Sequence, residues 1–195
     1  MGTIKTTNIE PIADNGTVTL GSSGDTFTIP SGVTMVNNGT QTGFGGTNTP
    51  IVSARLSSNT NVTDAVWAKI QFDTEEIDTN SAYDNTTNYR FTVPSGQAGK
   101  YLVTGQLLGN GNNNDINTVA IRIYKNGIGD EARGIQFQSP TAGRGQGTTV
   151  TVTQILDLSV SDYIELWGFI NVDTGTPYFQ SSDLGTRITI FKMVE

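Results

Sequence analysis

An acidic run is the first stretch of this chain whose residue types could do chemistry. Asp73, Glu75, Glu76 and Asp78 place four carboxylates within six residues. Acid–base cleavage of a glycosidic bond needs two carboxylates that face each other across that bond. Successive residues of a strand point to opposite faces, so this run does not by itself form such a pair. We interpret it as a solvated edge or loop.

The chain lacks the residues that most enzymes use. Its 195 residues include no histidine and no cysteine. These absences remove the commonest general base, the commonest zinc ligand, thiolate metal sites and disulfides. We therefore expect no enzyme, no cofactor and no metal, although a carbohydrate-active enzyme that uses carboxylates at subunit interfaces stays as an alternative that no motif supports.

A loop at residues 109–116 is rich in amides and has one carboxylate. Its polar residues are Asn110, Asn112, Asn113, Asn114 and Asp115. Such groups suit sugar hydroxyls or act as oxygen ligands for calcium, and they are equally typical of a solvated loop tip. The Asp-rich spacing of helix-loop-helix calcium sites is absent, so no metal is predicted here.

Two further loops carry residues that could hold a ligand. The residues are Arg144 and Gln146 in the loop 139–147, and Asp173, Tyr178 and Phe179 in the loop 171–185. An aromatic ring could stack on a sugar face while the polar groups bind its hydroxyls. Tyr178 and Phe179 could equally be contacts between subunits, because large apolar groups at a surface often mark interfaces.

These loops must be positioned by strands. From residue 51 onward, runs of branched and aromatic residues alternate with turn residues, without a helical period. We predict nine strands, at residues 51–56, 66–72, 89–93, 101–108, 117–125, 132–138, 148–158, 163–170 and 186–193. Many short strands at even spacing are typical of a sandwich or barrel. Trp67 and Trp167 lie in apolar strands and are predicted to be core residues.

The connections between these strands alternate in length. Residues 94–99, 126–131 and 159–162 are short connections, and residues 109–116, 139–147 and 171–185 are long ones. Successive strands run up and down, so alternate connections fall at the same end of the sandwich. The three long loops are therefore predicted to share one end, where binding residues are commonly found.

The first 48 residues differ from the rest. Residues 17–20, 26–29 and 33–35 alternate apolar and polar side chains, and the turn sequences Gly-Ser-Ser-Gly-Asp and Pro-Ser-Gly separate them. They are predicted to be short strands with one apolar face. So few apolar residues cannot form their own core, so the main domain, sister chains or a host particle must cover them. We place a Gly-rich linker at residues 40–50 and predict two domains, 1–48 and 49–195.

Composition excludes several partners. The chain is 35% hydrophobic and 15% charged, which suits a β-rich soluble protein. No stretch is long and apolar enough to span a bilayer, so we expect no membrane insertion, and the N-terminus lacks a secretory signal, so we expect synthesis without export machinery. The net charge of -7 and the scattered Lys and Arg argue against nucleic acid as a partner.

The main domain also resembles a known family. Tyr83-Asp84, a polar gap, Phe91-Thr-x-Pro94 and Gly99-x-Tyr101 are similar to the globular head of complement component one-q, which shares its jelly roll with the tumour necrosis factors. The similarity continues in four other segments: residues 67–73, Asn126-Gly127, residues 156–166 and the closing strand, residues 188–194. Ser161 stands where glycine is usual, and no collagen-like Gly-x-y stalk precedes the head.

The resemblance implies an all-β jelly-roll sandwich with an N-terminal β-patterned extension that assembles as a homotrimer. Leu102 and Thr104 match positions that line the trimer axis in that family, and their strand carries apolar residues on both faces. Without a collagen stalk, the combination resembles a bacteriophage fibre, spike or decoration protein.

From that resemblance we expect a virion protein made in the host cytoplasm. Residues 1–48 would contact other virion proteins, and the head would bind a host surface glycan or protein through its long loops. A capsid decoration or cement trimer with a stabilising role is the alternative.

Overall fold

A computed structural model describes residues 9, 11, 16–36, 38, 49–112, 115–137, 145–182 and 185–193. The chain divides into two compact units, residues 1–44 and residues 45–195. The units are considered one at a time below. The expectation of separate domains at 1–48 and 49–195 stays a prediction.

Residues 16–36 of the first unit form two turns. The N–H of Asp25 donates to the Ser22 carbonyl at 3.0 Å, and the N–H of Val33 donates to the Pro30 carbonyl at 3.2 Å. No strand is formed in this stretch of the single chain. The three short strands that the alternation predicts are therefore missing, because a strand needs a hydrogen-bonded neighbour and none is present among the described residues of this unit.

The apolar side chains of residues 16–36 are exposed. They are Val18, Leu20, Phe27, Ile29, Val33, Met35 and Val36. Phe27, the largest member of the set, is 67% exposed, and Val36 is 73% exposed. The alternating apolar pattern thus survives as an uncovered surface and not as a local core.

The second unit is an all-β sandwich. Its strands are β1 (Ile51–Arg55), β2 (Thr60–Asn61), β3 (Ala68–Lys69), β4 (Thr74–Asp78), β5 (Tyr83–Asp84), β6 (Arg90–Thr92), β7 (Gly99–Asn110), β8 (Ile116–Lys125), β9 (Ile128–Phe137), β10 (Gly147–Leu158), β11 (Tyr163–Val172), β12 (Tyr178–Phe179) and β13 (Arg187–Lys192). The described residues contain no helix, and so none that could cross a membrane.

The strands form two antiparallel sheets. Sheet A has the order β2-β12-β7-β13-β1-β4. β12 and β13 pair with different parts of one edge of β7, and β10 pairs with its opposite edge. Sheet B has the order β5-β6-β11-β8-β9, with β3 also paired to β11. Except for the hairpin β8-β9 within sheet B, consecutive long strands lie in different sheets, which is the jelly-roll connection that the resemblance implies.

The core lies between the sheets and is formed by alternate residues of the long strands. In β7, every second residue from Tyr101 to Leu107 is buried, whereas the three residues between them are partly exposed. From sheet B, Ile121 and Leu166 face the same interior. Side chains alternate across a strand, so burial of one face leaves the other free for a second role.

The sequence predicted the long strands well and the short ones poorly. The strand predicted at residues 66–72 is reduced to β3, two residues long. The acidic run forms β4, which pairs with β1 at the edge of sheet A. Its charges are tolerated because an edge strand has one open side and a solvated face. β2, β5 and β12 were not predicted.

The three short connections meet at one end of the sandwich, the turn end. The Ser161 N–H donates to the Val93 carbonyl at 3.0 Å, and the Asn126 N–H donates to the Tyr163 carbonyl at 3.0 Å. Asn126 and Gly127 have φ values of +53° and +78°, as the Asn-Gly pair predicted for a tight hairpin between β8 and β9.

Asp162 is the polar centre of the turn end. Its carboxylate accepts hydrogen bonds from the side chain of Asn126 at 2.8 Å and from the Ser159 N–H at 2.9 Å. It also lies 3.2 Å from the ammonium of Lys125. The Asn126 hydrogen bond, followed by those of Ser159 and Lys125, holds the pKa of Asp162 below its usual range, against the smaller effect of burial.

Replacing Gly134 by alanine should destabilise the sandwich. A Cβ at Gly134 would lie 2.0 Å from the backbone carbonyl oxygen of Thr151, where β9 and β10 approach each other. Backbone cannot move away as a side chain can, so we expect a loss of about 1–3 kcal/mol in the free energy of unfolding, measured by denaturant titration. Gly147→Ala is the matched control, because its Cβ would meet nothing closer than 3.5 Å.

Replacing Asp162 by asparagine should make the free energy of unfolding less dependent on pH in the acidic range. A lowered pKa in the folded state means that the carboxylate stabilises the fold above its ordinary value of 3.8 and that this contribution is lost as pH falls further. We expect Asp162→Asn to be less stable by roughly 1 kcal/mol at pH 7, with the difference shrinking below about pH 4. Urea titrations of both proteins at pH 7 and below about pH 4 measure this difference in the free energy of unfolding. Asp157→Asn, at an exposed position of β10, should change stability by less than about 0.5 kcal/mol, and a constant Asp162 difference at all pH values would contradict the assignment.

Candidate functional site

The three long loops meet at the end of the sandwich opposite the turn end. The Gly111 N–H donates to the Gln146 carbonyl at 2.8 Å, which joins the first loop to the second. The Asp173 N–H donates to the Asp115 carbonyl at 3.3 Å, which joins the first loop to the third. The predicted convergence of these loops is confirmed for their described residues. We call this region the loop end.

Asp115 organises the loop end from a buried position. One carboxylate oxygen accepts hydrogen bonds from the Thr174 N–H at 2.9 Å and from the Thr174 hydroxyl at 2.7 Å. The other oxygen is buried and has no hydrogen-bond partner among the described residues. A Cβ on Gly111 would lie 2.7 Å from that oxygen, so glycine is needed for the loop to pack against Asp115. Asp115 therefore ties the loops together and presents little surface to a ligand.

Asn110, Asn112 and Gln146 also bond within the loop end. The side-chain amide of Asn110 donates to Gln180 Oε1 at 3.0 Å, and its carbonyl oxygen accepts from the Asn112 N–H at 2.8 Å. Gln146 Nε2 donates to the Asn112 carbonyl at 3.2 Å. Asn110 is buried, whereas Asn112 and Gln146 are exposed. Of these three, only the exposed pair can reach a ligand.

The third loop places its predicted residues in different environments. Asp173 is exposed and accepts a 2.6 Å hydrogen bond from Asn117 Nδ2. Tyr178 is half-buried in β12, which pairs with β7 and β2. Phe179 is fully buried in the core of its own protomer, where a Cβ on Gly168 would touch its ring at 2.6 Å. This corrects the expectation that Phe179 contacts a neighbouring subunit.

The remaining predicted loop residues, Asn113, Asn114 and Arg144, lie outside the described residues. A ligand-binding role for the loop end stays a prediction. Within the described part of the chain, no cluster of three acidic side chains could hold a metal ion.

The outer face of sheet A carries an ordered set of side chains. Cross-strand partners share a face, so the register defines rows across the sheet. One row is apolar and consists of Ile155, Leu102, Phe191 and Ile51. The pair of Lys100 and Asp157 lies between this row and the turn end. Ile155 is 51% exposed, and the other three are partly exposed. We call these four residues the apolar row.

Polar rows follow toward the loop end. Thr104 and its partners Thr153, Thr189 and Ser53 form a hydroxyl row, in which the hydroxyls of Thr104 and Thr153 are 3.3 Å apart. The next row contains Arg187 and Arg55, and both guanidinium groups lie near Glu76, at 3.5 Å and 3.4 Å. The face thus changes from apolar to charged along the strands. Leu102 and Thr104, the predicted interface residues, are on this outer face.

The tryptophans are not core residues, contrary to the prediction. Trp67 and Trp167 are both partly exposed. Lys69 of β3 pairs with Trp167 of β11, and the buried residues on these strands, Ile70 and Leu166, point to the opposite face. The outer face of sheet B is therefore aromatic. An apolar strand pattern did not reveal this, because aromatic residues also satisfy β-strand preferences on a solvated face.

Comparisons with known proteins agree with the architecture. The globular domain of zebrafish complement 1qA matches with 14% identity over 74% of this chain and 97% of its own, at a TM-score of 0.53. Eiger TNF from S. frugiperda matches with 13% identity over 73% of this chain and 91% of its own, at a TM-score of 0.54. Murine APRIL matches with 13% identity over 73% of this chain and 98% of its own, at a TM-score of 0.53.

These similarities define the fold. Residues 49–193, as far as the structure describes them, form a jelly-roll sandwich of the complement 1q and tumour necrosis factor type. No protein-family model matches the chain, and no curated protein matches it. Similar folds at such low identity carry many different functions, so the function must be argued from the surfaces of this chain.

Proposed function

We propose that this protein is a homotrimeric structural protein of a bacteriophage virion, a fibre, spike or head fibre whose jelly-roll head binds a host surface ligand. Residues 1–48 attach the trimer to other virion proteins, and the loop end points outward. The protein acts by binding and not by catalysis, and three copies of each site add avidity.

The apolar row on sheet A carries the proposal of self-association. A two-sheet sandwich needs only its inner faces to be apolar, yet Leu102 and Phe191 of the two central strands add a second apolar surface. Ile155 extends that surface to the edge strand β10 and is half exposed. Burying such a row against other copies removes apolar area from water, which stabilises the assembly by about 25 cal/mol per Å² of buried apolar area.

The polar rows beside it support a specific and not merely adhesive contact. Glu76 accepts a 2.8 Å hydrogen bond from Ser53 and lies near both Arg55 and Arg187. Charges that are paired within one protomer can be buried at lower cost than unpaired ones. The face therefore has an apolar centre for stability and a satisfied polar margin for register, as stable protein interfaces do.

The exposed apolar residues of residues 16–36 support the attachment role. Their alternation is that of strands, but the described part of the first unit provides no strand to pair with. Unpaired strand segments with apolar side chains are ready templates for pairing with other chains. Sister copies or a virion protein would supply both the hydrogen bonds and the cover.

Replacing Ile155 by glutamate should break the trimer. The purified full chain should have three times the mass of one chain by light scattering, and Ile155→Glu should lower it to that of one chain, because three buried carboxylates cannot be solvated in a closed interface. Ile128→Glu is the matched control. Ile128 is 70% exposed beside the Asn126-Gly127 turn, so the same change of charge there should leave the mass unchanged.

A single-chain mass for the unaltered protein would contradict the proposed trimer. Equal masses for the unaltered protein and the Ile155→Glu variant, both at three chains, would place the interface elsewhere.

Particles assembled without this protein should attach poorly to host cells and keep intact capsids. The reason is that the proposed role is contact with the host, which the loop end serves at a distance from the particle. Attachment and capsid resistance to heat or low salt can be measured on the same preparation. Normal attachment with fragile or swollen capsids would replace the proposed function by that of a decoration protein.

A further inference from the structure

The outer face of sheet B holds a groove that the proposed function does not use. Its floor is Ala120 of β8, which is small and only 1% exposed. Phe169 of β11 and Ile135 of β9 are the direct cross-strand partners of Ala120 and form the two walls, with Trp67 beside Phe169. The groove has a volume of about 310 Å³, at the lower end of the range of small-ligand sites. We call it the flank groove.

The aromatic wall of the flank groove is held in place before any ligand arrives. The rings of Trp67 and Phe169 have centroids 5.4 Å apart and are tilted by 40°. The guanidinium of Arg122 lies 4.2 Å from the centroid of the Trp67 ring. These contacts fix the indole from two sides, so little side-chain entropy remains to be lost on binding.

A second aromatic pair supports the same face. Trp167, the neighbour of Arg122 in the register, stacks on Tyr124 with centroids 4.8 Å apart. Its indole N–H donates to Glu165 at 3.1 Å, and Glu165 is paired with Lys69 at 2.7 Å. The polar atoms around Trp167 are thus satisfied internally. Both tryptophans of the chain lie on this one face.

The polar lining of the groove identifies the class of ligand. Thr118 and Asn171 are cross-strand partners at one end, and they offer a hydroxyl and an amide. Arg122 is the charged residue among the side chains that line the groove, and it is a cation in a chain of net charge -7. Aromatic faces take the apolar C–H face of a sugar ring, Thr and Asn bind its hydroxyls, and Arg binds a carboxylate.

We propose that the flank groove binds one ring of an acidic glycan, with the sugar against Trp67 and Phe169 and its carboxylate on Arg122. The proposal goes beyond the proposed function and rests on it for the biological setting. It adds a ligand site on the side of the head to the loop end and names the ligand class. The groove lies within a single protomer, so its binding does not require the trimer.

The dimensions favour a sugar ring over a protein partner. A stable protein contact buries about 800 Å² on each partner, and it would have to cover the internally paired Lys69 and Glu165 as well. A depression of about 310 Å³ with three polar side chains fits a single ring, which does not have to cover the Lys69–Glu165 pair. A second copy of the chain on this face is an outcome that the experiment detects.

Titration of the full-length protein with methyl β-D-glucuronide and with methyl β-D-glucoside tests the proposal. The two probes differ only at C6, which is a carboxylate in the glucuronide and a hydroxymethyl group in the glucoside. Intrinsic tryptophan fluorescence reports on this face alone, because both tryptophans lie on it. We expect a saturable change with both sugars and a dissociation constant about tenfold lower for the glucuronide, since a charge-assisted hydrogen bond to Arg122 is made only with it.

Three variants assign the binding to the flank groove. Arg122→Gln should remove the preference for the glucuronide. Arg90→Gln is the matched control, because Arg90 lies 4.1 Å from the Tyr163 ring, an equivalent stack outside the groove, and its loss should keep the preference. Ala120→Leu should abolish the response to both sugars by filling the floor.

Several outcomes would overturn the inference. One is the absence of a saturable response to either sugar in the unaltered protein. Another is an equal dissociation constant for both sugars that Arg122→Gln does not change. A lower oligomeric mass for Ala120→Leu would show that the groove is a contact between copies. Sugar binding by a protein with the mass of a single chain would refute the proposed trimer and retain the groove.

Discussion

Strand β7 is the element on which the rest of the molecule depends. It pairs with β10 along its whole length of twelve residues on one edge, and with β13 and β12 on the other. Its inner residues build the core, and its outer residues include Leu102 of the apolar row. A strand in this position has no free edge, so everything that it contributes beyond the core must come from its outer face.

Close packing between the sheets adds a second constraint on β7. A Cβ at Gly105 would lie 2.5 Å from a methyl group of Leu166, and one at Gly109 would lie 2.9 Å from Val119. These glycines let sheet B approach the middle and the loop end of β7. Burial also raises the pKa of Tyr101, in the same strand, to about 12, so its hydroxyl stays protonated and keeps its hydrogen bond to the Gln97 carbonyl.

The elements that the sequence predicted are those whose pattern is local. Long strands such as β7 and β11 are runs of ten or more residues rich in branched and aromatic side chains, a signal that lies within the strand itself. β12 forms because it lies between β7 and β2, and β2 forms because it lies beside β12, so two residues of sequence hold no signal for either strand. β4 was interpreted as an edge or loop because charges depress strand propensity, and its edge position makes those charges harmless.

The loop end shows why residue types predict a location better than a role. Asn110 and Asp115 were predicted as ligand contacts because amides and carboxylates bind sugars, but the same groups bind loop backbone equally well. Only contacts from distant parts of the chain, such as Thr174 on Asp115, decide between the two uses. Trp67 and Trp167 were predicted to be buried but are partly exposed, because an apolar pattern does not show which face of the sheet a residue occupies.

The three exposed surfaces differ in how much of their backbone pairing and side-chain packing is completed within the single chain. This difference determines which kind of partner suits each surface. In residues 16–36 the backbone forms two turns but no strand pairing, and the apolar side chains are exposed, so the proposed partner is another polypeptide that supplies strands. The apolar row of sheet A is paired through its backbone but uncovered above it, which suits a flat contact with sister copies. On sheet B the aromatic rings already stack on one another and on Arg122, and between them lies a small groove with a polar lining. A ligand of the size of one sugar ring is what such a surface can accept.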